Sequence, residues 1–271
     1  MFTPCIAILN RKGGTGKTST AFHTSYALAK LGRRVLLLDL DPQSNLSEGF
    51  LGAGVEDFPP ERTVAALYSD SFVPDPRALI VPTPIEGVDL LPGSEAMEDY
   101  SDPRPSGHRS QFVLRDFVSE VWADYGVILL DCPPALALAS WSAMVAADAV
   151  LTPVVPEDFG AAGIRKINRA IALVRAEANP GLCLLGYLVS QFNSKLAIHS
   201  AYVDQLRAAY GDLVMTTMIP IAADFKLAVT AGKPVGLLKP RSAAARAIAA
   251  LAEELLARAG DDDDATRKEV A

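Results

Sequence analysis

The sequence is short of everything that staples or anchors a chain. It has three cysteines, Cys5, Cys132 and Cys183, each within an apolar run. A disulfide framework is therefore excluded, and core thiols in a reduced compartment are the expectation. The three histidines, His23, His108 and His199, are too few and scattered for a histidine-rich metal site. No apolar run approaches the ~20 residues that a membrane-spanning helix needs. The first ten residues lack the basic start and apolar core of a signal peptide, so a cytoplasmic protein is expected. Aromatic residues make up only 7%.

What is present is a globular composition. Half of the 271 residues are apolar and 21% are charged. That balance excludes a disordered chain, a coiled coil and a collagen-like fibre. A chain this long can bury about three-quarters of its unfolded surface without a staple. The net charge of −7 argues against nucleic-acid binding as a bulk property. The charge is uneven, however. The last twelve residues hold five acids and two bases, and a mildly acidic body can still present a local basic face.

Short apolar runs at 5–9, 35–40, 127–130, 149–155, 182–189 and 213–219 alternate with helix-like stretches at 18–31, 111–122, 135–146, 161–178 and 197–210. Runs that are apolar at every position suit strands buried on both faces. The alternation predicts an α/β fold, a mostly parallel twisted sheet with helices on both faces. Residues 53–108 are rich in Pro, Gly, Asp and Ser. They read as a loop-rich elaboration with a short helix near 63–68 and a strand near 88–91. A last helix at 242–259 is expected to stop at Gly260, leaving 261–271 as an acidic disordered tail after a single domain over 1–260.

The decisive segment is Asn10-Arg11-Lys12-Gly13-Gly14-Thr15-Gly16-Lys17-Thr18-Ser19, between the first strand and the first helix. A polyphosphate needs a loop whose N–H groups point inward with no side chains in the way. Gly13, Gly14 and Gly16 permit that curvature. The helix that follows aims its positive end at the phosphates. Lys17 can reach the β and γ phosphates, and the Thr18 hydroxyl can hold Mg²⁺. The first glycine of the common phosphate-loop pattern is Arg11 here, and a second lysine, Lys12, stands beside it.

Two further runs end in acids. Val35 to Gln43 gives a strand closing on Asp39 and Asp41, whose side chains leave the same side of a strand. Val127 to Pro134 gives four apolar residues and then Asp131, the Walker B arrangement, placed to hold Mg²⁺ through water. The C-terminal ends of parallel strands are the rim where ligands bind. Together these parts suit phosphoryl transfer to water.

The run Lys12 to Thr18 resembles the hallmark K-G-G-x-G-K-[ST] of the ParA/MinD superfamily of deviant Walker A ATPases, closest to the ParA-type partition ATPases. The resemblance extends over residues 5 to about 257. It implies that Lys12 crosses a dimer interface to the nucleotide of the other subunit, and that Asp41, in D-x-D-P-Q, positions the attacking water. It gives catalytic roles to Asp41, Lys12 and Lys17, and nucleotide contacts to residues 12–19, Ser19 included. Thr18 and Asp131 would hold the metal, with Asp39 supporting the loop or the metal's outer shell. Residues 152–159 resemble the family's strand and loop that face the partner subunit. Pro220 falls in a loop that borders adenine in relatives. The next three positions, where many relatives carry an arginine, are Ile221, Ala222 and Ala223.

The resemblance also implies an ATP-dependent homodimer that binds DNA without sequence preference and is stimulated by a ParB-like partner. It would then segregate plasmid or chromosome DNA, or position cargo on the nucleoid. For a DNA face the candidates are Lys226, Lys233, Lys239 and Arg241, since sequence-independent binding needs only phosphate contacts. A MinD-like membrane-associated regulator is the rival class, but the alanine-rich last helix is mixed in charge and precedes four aspartates, which anionic lipid would repel. No membrane is expected as a partner. A positioning ATPase for a protein cargo is the other alternative. A cluster-bridged iron–sulfur reductase would need two well-placed cysteines, and only Cys132 falls near the nucleotide rim.

Overall fold

The computed structural model describes residues 3–69, 75–100, 110–156 and 161–269. Seven strands form one sheet among these residues, in the order β3-β4-β2-β5-β1-β6-β7. In chain order they are β1 (Cys5–Ile8), β2 (Val35–Asp39), β3 (Val81–Pro82), β4 (Val88–Leu91), β5 (Val127–Asp131), β6 (Ala149–Val154) and β7 (Cys183–Val189). All pairings are parallel except the short β3 against β4. Nine α-helices accompany them among the described residues: α1 (Lys17–Lys30), α2 (Asn45–Leu51), α3 (Val113–Val121), α4 (Leu138–Ala146), α5 (Ala161–Glu177), α6 (Ala197–Tyr210), α7 (Ala223–Thr230), α8 (Val235–Leu238) and α9 (Ala243–Glu269).

The unbroken apolar strands sort themselves by alternation. Ile6, Ile8, Val35, Leu37, Val127 and Leu129 enter one core with α1 and α9. Ala7, Leu36, Leu38, Ile128 and Leu130 enter the opposite core with α3, α4 and α5. A central strand needs apolar residues at every position because both of its faces are covered. The apolar stripe of α9, Ala244, Ile248, Leu251 and Leu255, is spent on the first of these cores.

Two expectations are corrected and a third, the short helix near 63–68, is met and refined. The run 213–219 is not a strand. It forms no continuous ladder with the edge strand: one bridge pairs Tyr187 with Val214, and the Met215 and Ile219 N–H groups donate to the Tyr187 and Val189 carbonyls at 2.9 and 2.8 Å. The reason is competition for its amides: the Glu254 carboxylate on α9 accepts from the Thr216 and Thr217 N–H groups at 2.7 and 2.8 Å. The last helix does not stop at Gly260 but continues to Glu269. Glycine ends a helix when it turns left-handed, and inside one it costs only about 1 kcal/mol relative to alanine. The short helix near 63–68 is a 3₁₀ helix over Val64–Tyr68, with the Thr63 hydroxyl accepting from the Ala65 N–H.

β7 carries a bulge. Val150 pairs with Leu184 and Leu151 with Gly186, so Leu185 is the extra residue. The Leu185 carbonyl is taken by the Arg258 guanidinium at 3.2 Å, which also donates to the carbonyls of Asp212 and Val214. Gly186 lies under this crossing. A Cβ there would stand 2.8 Å from the Met215 Sδ and 2.9 Å from the Leu213 carbonyl oxygen. Gly186→Ala should therefore destabilise the protein by about 1–3 kcal/mol, because a backbone atom has to move. Urea unfolding checks this, and an unchanged midpoint would show that the crossing yields freely.

Candidate functional site

β1 runs into the glycine loop, and the loop opens α1. Gly14 and Gly16 take positive φ angles of 74° and 92°, a conformation that side chains resist. A Cβ at Gly13 or Gly14 would meet nothing within 4 Å, so the loop's rim is open. A cleft of 780 Å³ begins at this loop. It is lined by Gly13, Gly14, Gly16 and Lys17 through Thr20, by Asp41 and Gln43, and across from them by Ser190, Gln191 and Ile219 to Ala222. The sequence-predicted Pro220 is thus on the same cleft as the phosphate loop.

The two lysines of the loop part company. Lys17 is buried, 6% exposed, with its ammonium donating to the Lys12 carbonyl at 3.3 Å. Burial lowers its pKa, and Asp131 leads the groups that hold it up. Lys12 is exposed and does not line the cleft. Its N–H is held by the Asn10 side-chain oxygen at 3.0 Å, and Asn10 itself donates to the Pro153 carbonyl.

Facing the loop, the ends of β2 and β5 bring Asp39 and Asp131 into register as neighbours. Asp131 is fully buried, and neither of its carboxylate oxygens has a hydrogen-bond partner. Burial, then the neighbouring Asp39, push its pKa well above the usual carboxylate range, with Thr18 and Lys17 pulling it back. Thr18 approaches without closing a well-aligned hydrogen bond. Buried anionic oxygens without donors suit a hard divalent cation that keeps part of its water shell. The residues present therefore fit Mg²⁺ at Asp131 and Thr18.

Asp39 has different company. Its Oδ2 accepts from both the N–H and the hydroxyl of Ser47, at 2.8 and 2.7 Å, and its Oδ1 accepts from the Asp41 N–H at 3.3 Å. Ser47 in turn accepts from the Gly93 N–H at 2.8 Å. A Cβ at Gly93 would come within 2.9 Å of the Asp39 carboxyl carbon. Asp39 is thus a bracket that joins β2, α2 and the exit of β4. Burial raises its pKa to about 6 against the restraint of Ser47. Asp41, just past the end of β2, is 8% exposed on the cleft wall, with Oδ1 accepting from the Gln43 N–H at 3.1 Å.

The sequence reading missed Ser47, Gly93, Ser190 and Gln191. None lies in a recognisable pattern, and all reach the site by tertiary contact. Of the predicted cationic group, Lys226 lines the nucleotide cleft itself. Lys239 is paired with Asp224 at 2.7 Å, which ties α8's end to the first turn of α7. Lys233 and Arg241 are exposed in the same corner. Of the predicted partner-facing stretch, residues 157–159 lie outside the described residues. His23 is packed, as expected. It accepts from the Val235 N–H at 3.1 Å, and burial lowers its pKa to about 3.

A glycine loop between a strand and a helix, a buried lysine and a Walker B aspartate at the strand ends define a P-loop nucleoside triphosphatase. Residues 3–184 match the AAA domain family. The chain is 35% identical to the chromosome partitioning protein ParA of Caulobacter vibrioides, covering 94% of this chain and 95% of that protein. It is 36% identical to the chromosome-partitioning ATPase Soj of Thermus thermophilus, over 93% and 95%. The chain belongs to this ParA/Soj family of partitioning proteins, and it is an ATPase. Among solved structures it resembles a cobyrinic acid a,c-diamide synthase from Mycobacterium smegmatis with bound ADP and magnesium. That match has 28% identity, a TM-score of 0.79, and 94% of each chain covered. It also resembles the septum site-determining protein MinD with Mg-ADP from Pyrococcus horikoshii, at 27% identity and a TM-score of 0.73, over 96% of this chain and 99% of that one.

Asp39 generates a pH dependence. Its folded pKa of about 6 lies above the ordinary 3.8, so the native state holds the proton between these values. Its cost to stability is present above pH 6 and is shed as pH falls toward 4. Relative to Asp39→Asn, the nucleotide-free protein should gain on the order of 1 kcal/mol between pH 7.5 and pH 5. Urea midpoints at the two pH values measure it. A difference that stayed constant would place the proton elsewhere.

Proposed function

We propose that this protein binds ATP with Mg²⁺ in the cleft and dimerises in that state. The ATP-bound dimer holds DNA without sequence preference and hydrolyses ATP when a ParB-like partner engages it, so moving DNA or another cargo over the nucleoid. Supporting this reading, structural neighbours of the same fold carry ADP with magnesium and an ATP analogue with magnesium. The observation that carries the reading is the divergence of the two loop lysines. Lys17 is folded into its own cleft, whereas Lys12 is exposed off it. A cation displayed beside a phosphate loop, but not over it, supports a role on the phosphates of a second copy.

In the cleft, the loop N–H groups, Lys17 and the positive end of α1 would receive the phosphates. Mg²⁺ at Asp131 and Thr18 would offset charge on the β and γ phosphates. Asp41, on the cleft wall, orients the attacking water. Asp39 positions Asp41 through the hydrogen bond to its N–H. Loss of the γ phosphate removes the contacts that join the two loops, so hydrolysis ends the dimer.

No helix among the described residues is long and apolar enough to cross a membrane. The α9 apolar stripe through Leu255 is already buried against the sheet, which leaves that stretch no face for a lipid surface. This favours a nucleic-acid surface over a membrane as the matrix.

Asp41→Ala should bind ATP within about threefold of wild type yet lose at least ~99% of stimulated turnover, as water-orienting groups typically contribute 10²–10⁴-fold. It should sediment as a dimer with ATP, while Lys17→Ala stays a monomer. Full hydrolysis by Asp41→Ala would assign the water to another group. For DNA, reversal at Lys233 and Arg241 avoids the cleft. Lys233→Glu with Arg241→Glu should lower the slope of log affinity against log salt by about 2 in an electrophoretic shift assay, since each phosphate that is no longer neutralised takes away about 0.9. An unchanged slope would move the DNA face elsewhere.

A further inference from the structure

The turn after β7 touches both ends of the nucleotide cleft. Gln191 holds φ at 55°, one of two non-glycine residues with a positive φ among the described residues. Such a conformation is strained for a side chain with a Cβ and persists only where the surroundings enforce it. Its side-chain amide donates to the Gly14 carbonyl of the phosphate loop at 2.6 Å. Beside it, Ser190 is 3% exposed, its hydroxyl has no hydrogen-bond partner, and it lies 3.6 Å from where a Gly16 Cβ would be. On the other side, the Phe192 N–H donates to the Ile219 carbonyl and the Phe192 carbonyl accepts from the Ile221 N–H, at 2.8 and 3.0 Å. Ile219 and Ile221 line the far wall of the same cleft.

We infer that Gln191 is a positioning residue for the phosphate loop, setting the orientation of the Gly14–Thr15 peptide before a polyphosphate arrives. In a trans peptide the carbonyl and the N–H point in opposite directions. A Gly14 carbonyl held toward Gln191 therefore turns the Thr15 N–H away from it. Gly13 and Gly14 leave that peptide free to flip, since a Cβ at either would touch nothing within 4 Å. The glycines make the loop able to cradle phosphate, and the same freedom disperses its N–H groups unless something holds one peptide plane. Gln191 supplies that hold from a turn that is itself hydrogen-bonded to the far wall of the cleft. The strain at Gln191 is the cost of presenting its amide to the loop.

This inference rests on the cleft being the ATP site, and it is tested on the full chain with fluorescent mant-ADP and steady-state ATP hydrolysis. Gln191→Ala should raise the Kd for mant-ADP and the KM for ATP about 5–30-fold, with kcat within twofold and the nucleotide-free melting temperature within 2 °C of wild type. Gln191→Glu has the same shape, but its ionised carboxylate cannot donate to a carbonyl, and it should lose at least as much. Gln191→Gly decides between the amide and the backbone. It relieves the positive φ, so a purely conformational role predicts nucleotide affinity equal to or better than wild type, whereas loss of the latch predicts the 5–30-fold weakening. Affinities within twofold of wild type in Gln191→Gly and Gln191→Glu would overturn the inference. So would a fall in kcat and melting temperature in step with KM. A wild-type chain that failed to bind mant-ADP would instead overturn the site reading on which this stands.

Discussion

Three carboxylates meet one buried ammonium where β2 and β5 end beside the glycine loop. Asp39 and Asp131 are fully buried neighbours in the sheet, Asp41 is nearly so, and Lys17 is the buried cation that faces them. Without a ligand this arrangement is costly, because like charges are held together in a low dielectric. Burial raises the pKa of both Asp39 and Asp131 and lowers that of Lys17. A magnesium-bound triphosphate brings a divalent cation to the carboxylates and anions to the lysine, which relieves both sides at once. The site is therefore poised in the sense that its own electrostatics favour the loaded state.

That tension is held by contacts that do no chemistry. Ser47 satisfies one oxygen of Asp39 twice and accepts a hydrogen bond from the Gly93 N–H, so β2, α2 and the exit of β4 are tied together. The Asp41 N–H is bound into the same bracket. A change in the occupancy of the strand ends is thus felt by α2 and by the β4 exit, which are the elements nearest the loop-rich part of the chain. A switch needs such a mechanical link between a ligand's charge and a segment of backbone.

The opposite wall depends on α9. Glu254 takes two amides from the stretch that leads to Ile219, and Arg258 takes three carbonyls around the β7 bulge. These contacts keep 213–219 from completing an eighth strand and hold its end as the far wall of the cleft. The carboxylate keeps a lowered pKa, since the amides and Arg258 outweigh its partial burial. The C-terminal helix is in this way part of the nucleotide site without contributing a side chain to the phosphates.

The strands other than β3, the helices other than α2, α7 and α8, the phosphate loop, the strand-end acids and the family were legible in the residues. Each is a local pattern: alternation of apolar runs, glycine spacing, an acid after four apolar residues. Asp39's bracket, the Gln191 contact with Gly14 and the fate of 213–219 were not. They join residues from 8 to 177 positions apart, and only the packing of the sheet brings those atoms within hydrogen-bonding distance. The sequence by itself determined which groups would grip a phosphate, because backbone curvature and charge are written into neighbouring residues. Tertiary structure alone decided which groups hold the grip in shape and which lysine turns outward, because those depend on what the folded chain leaves room for.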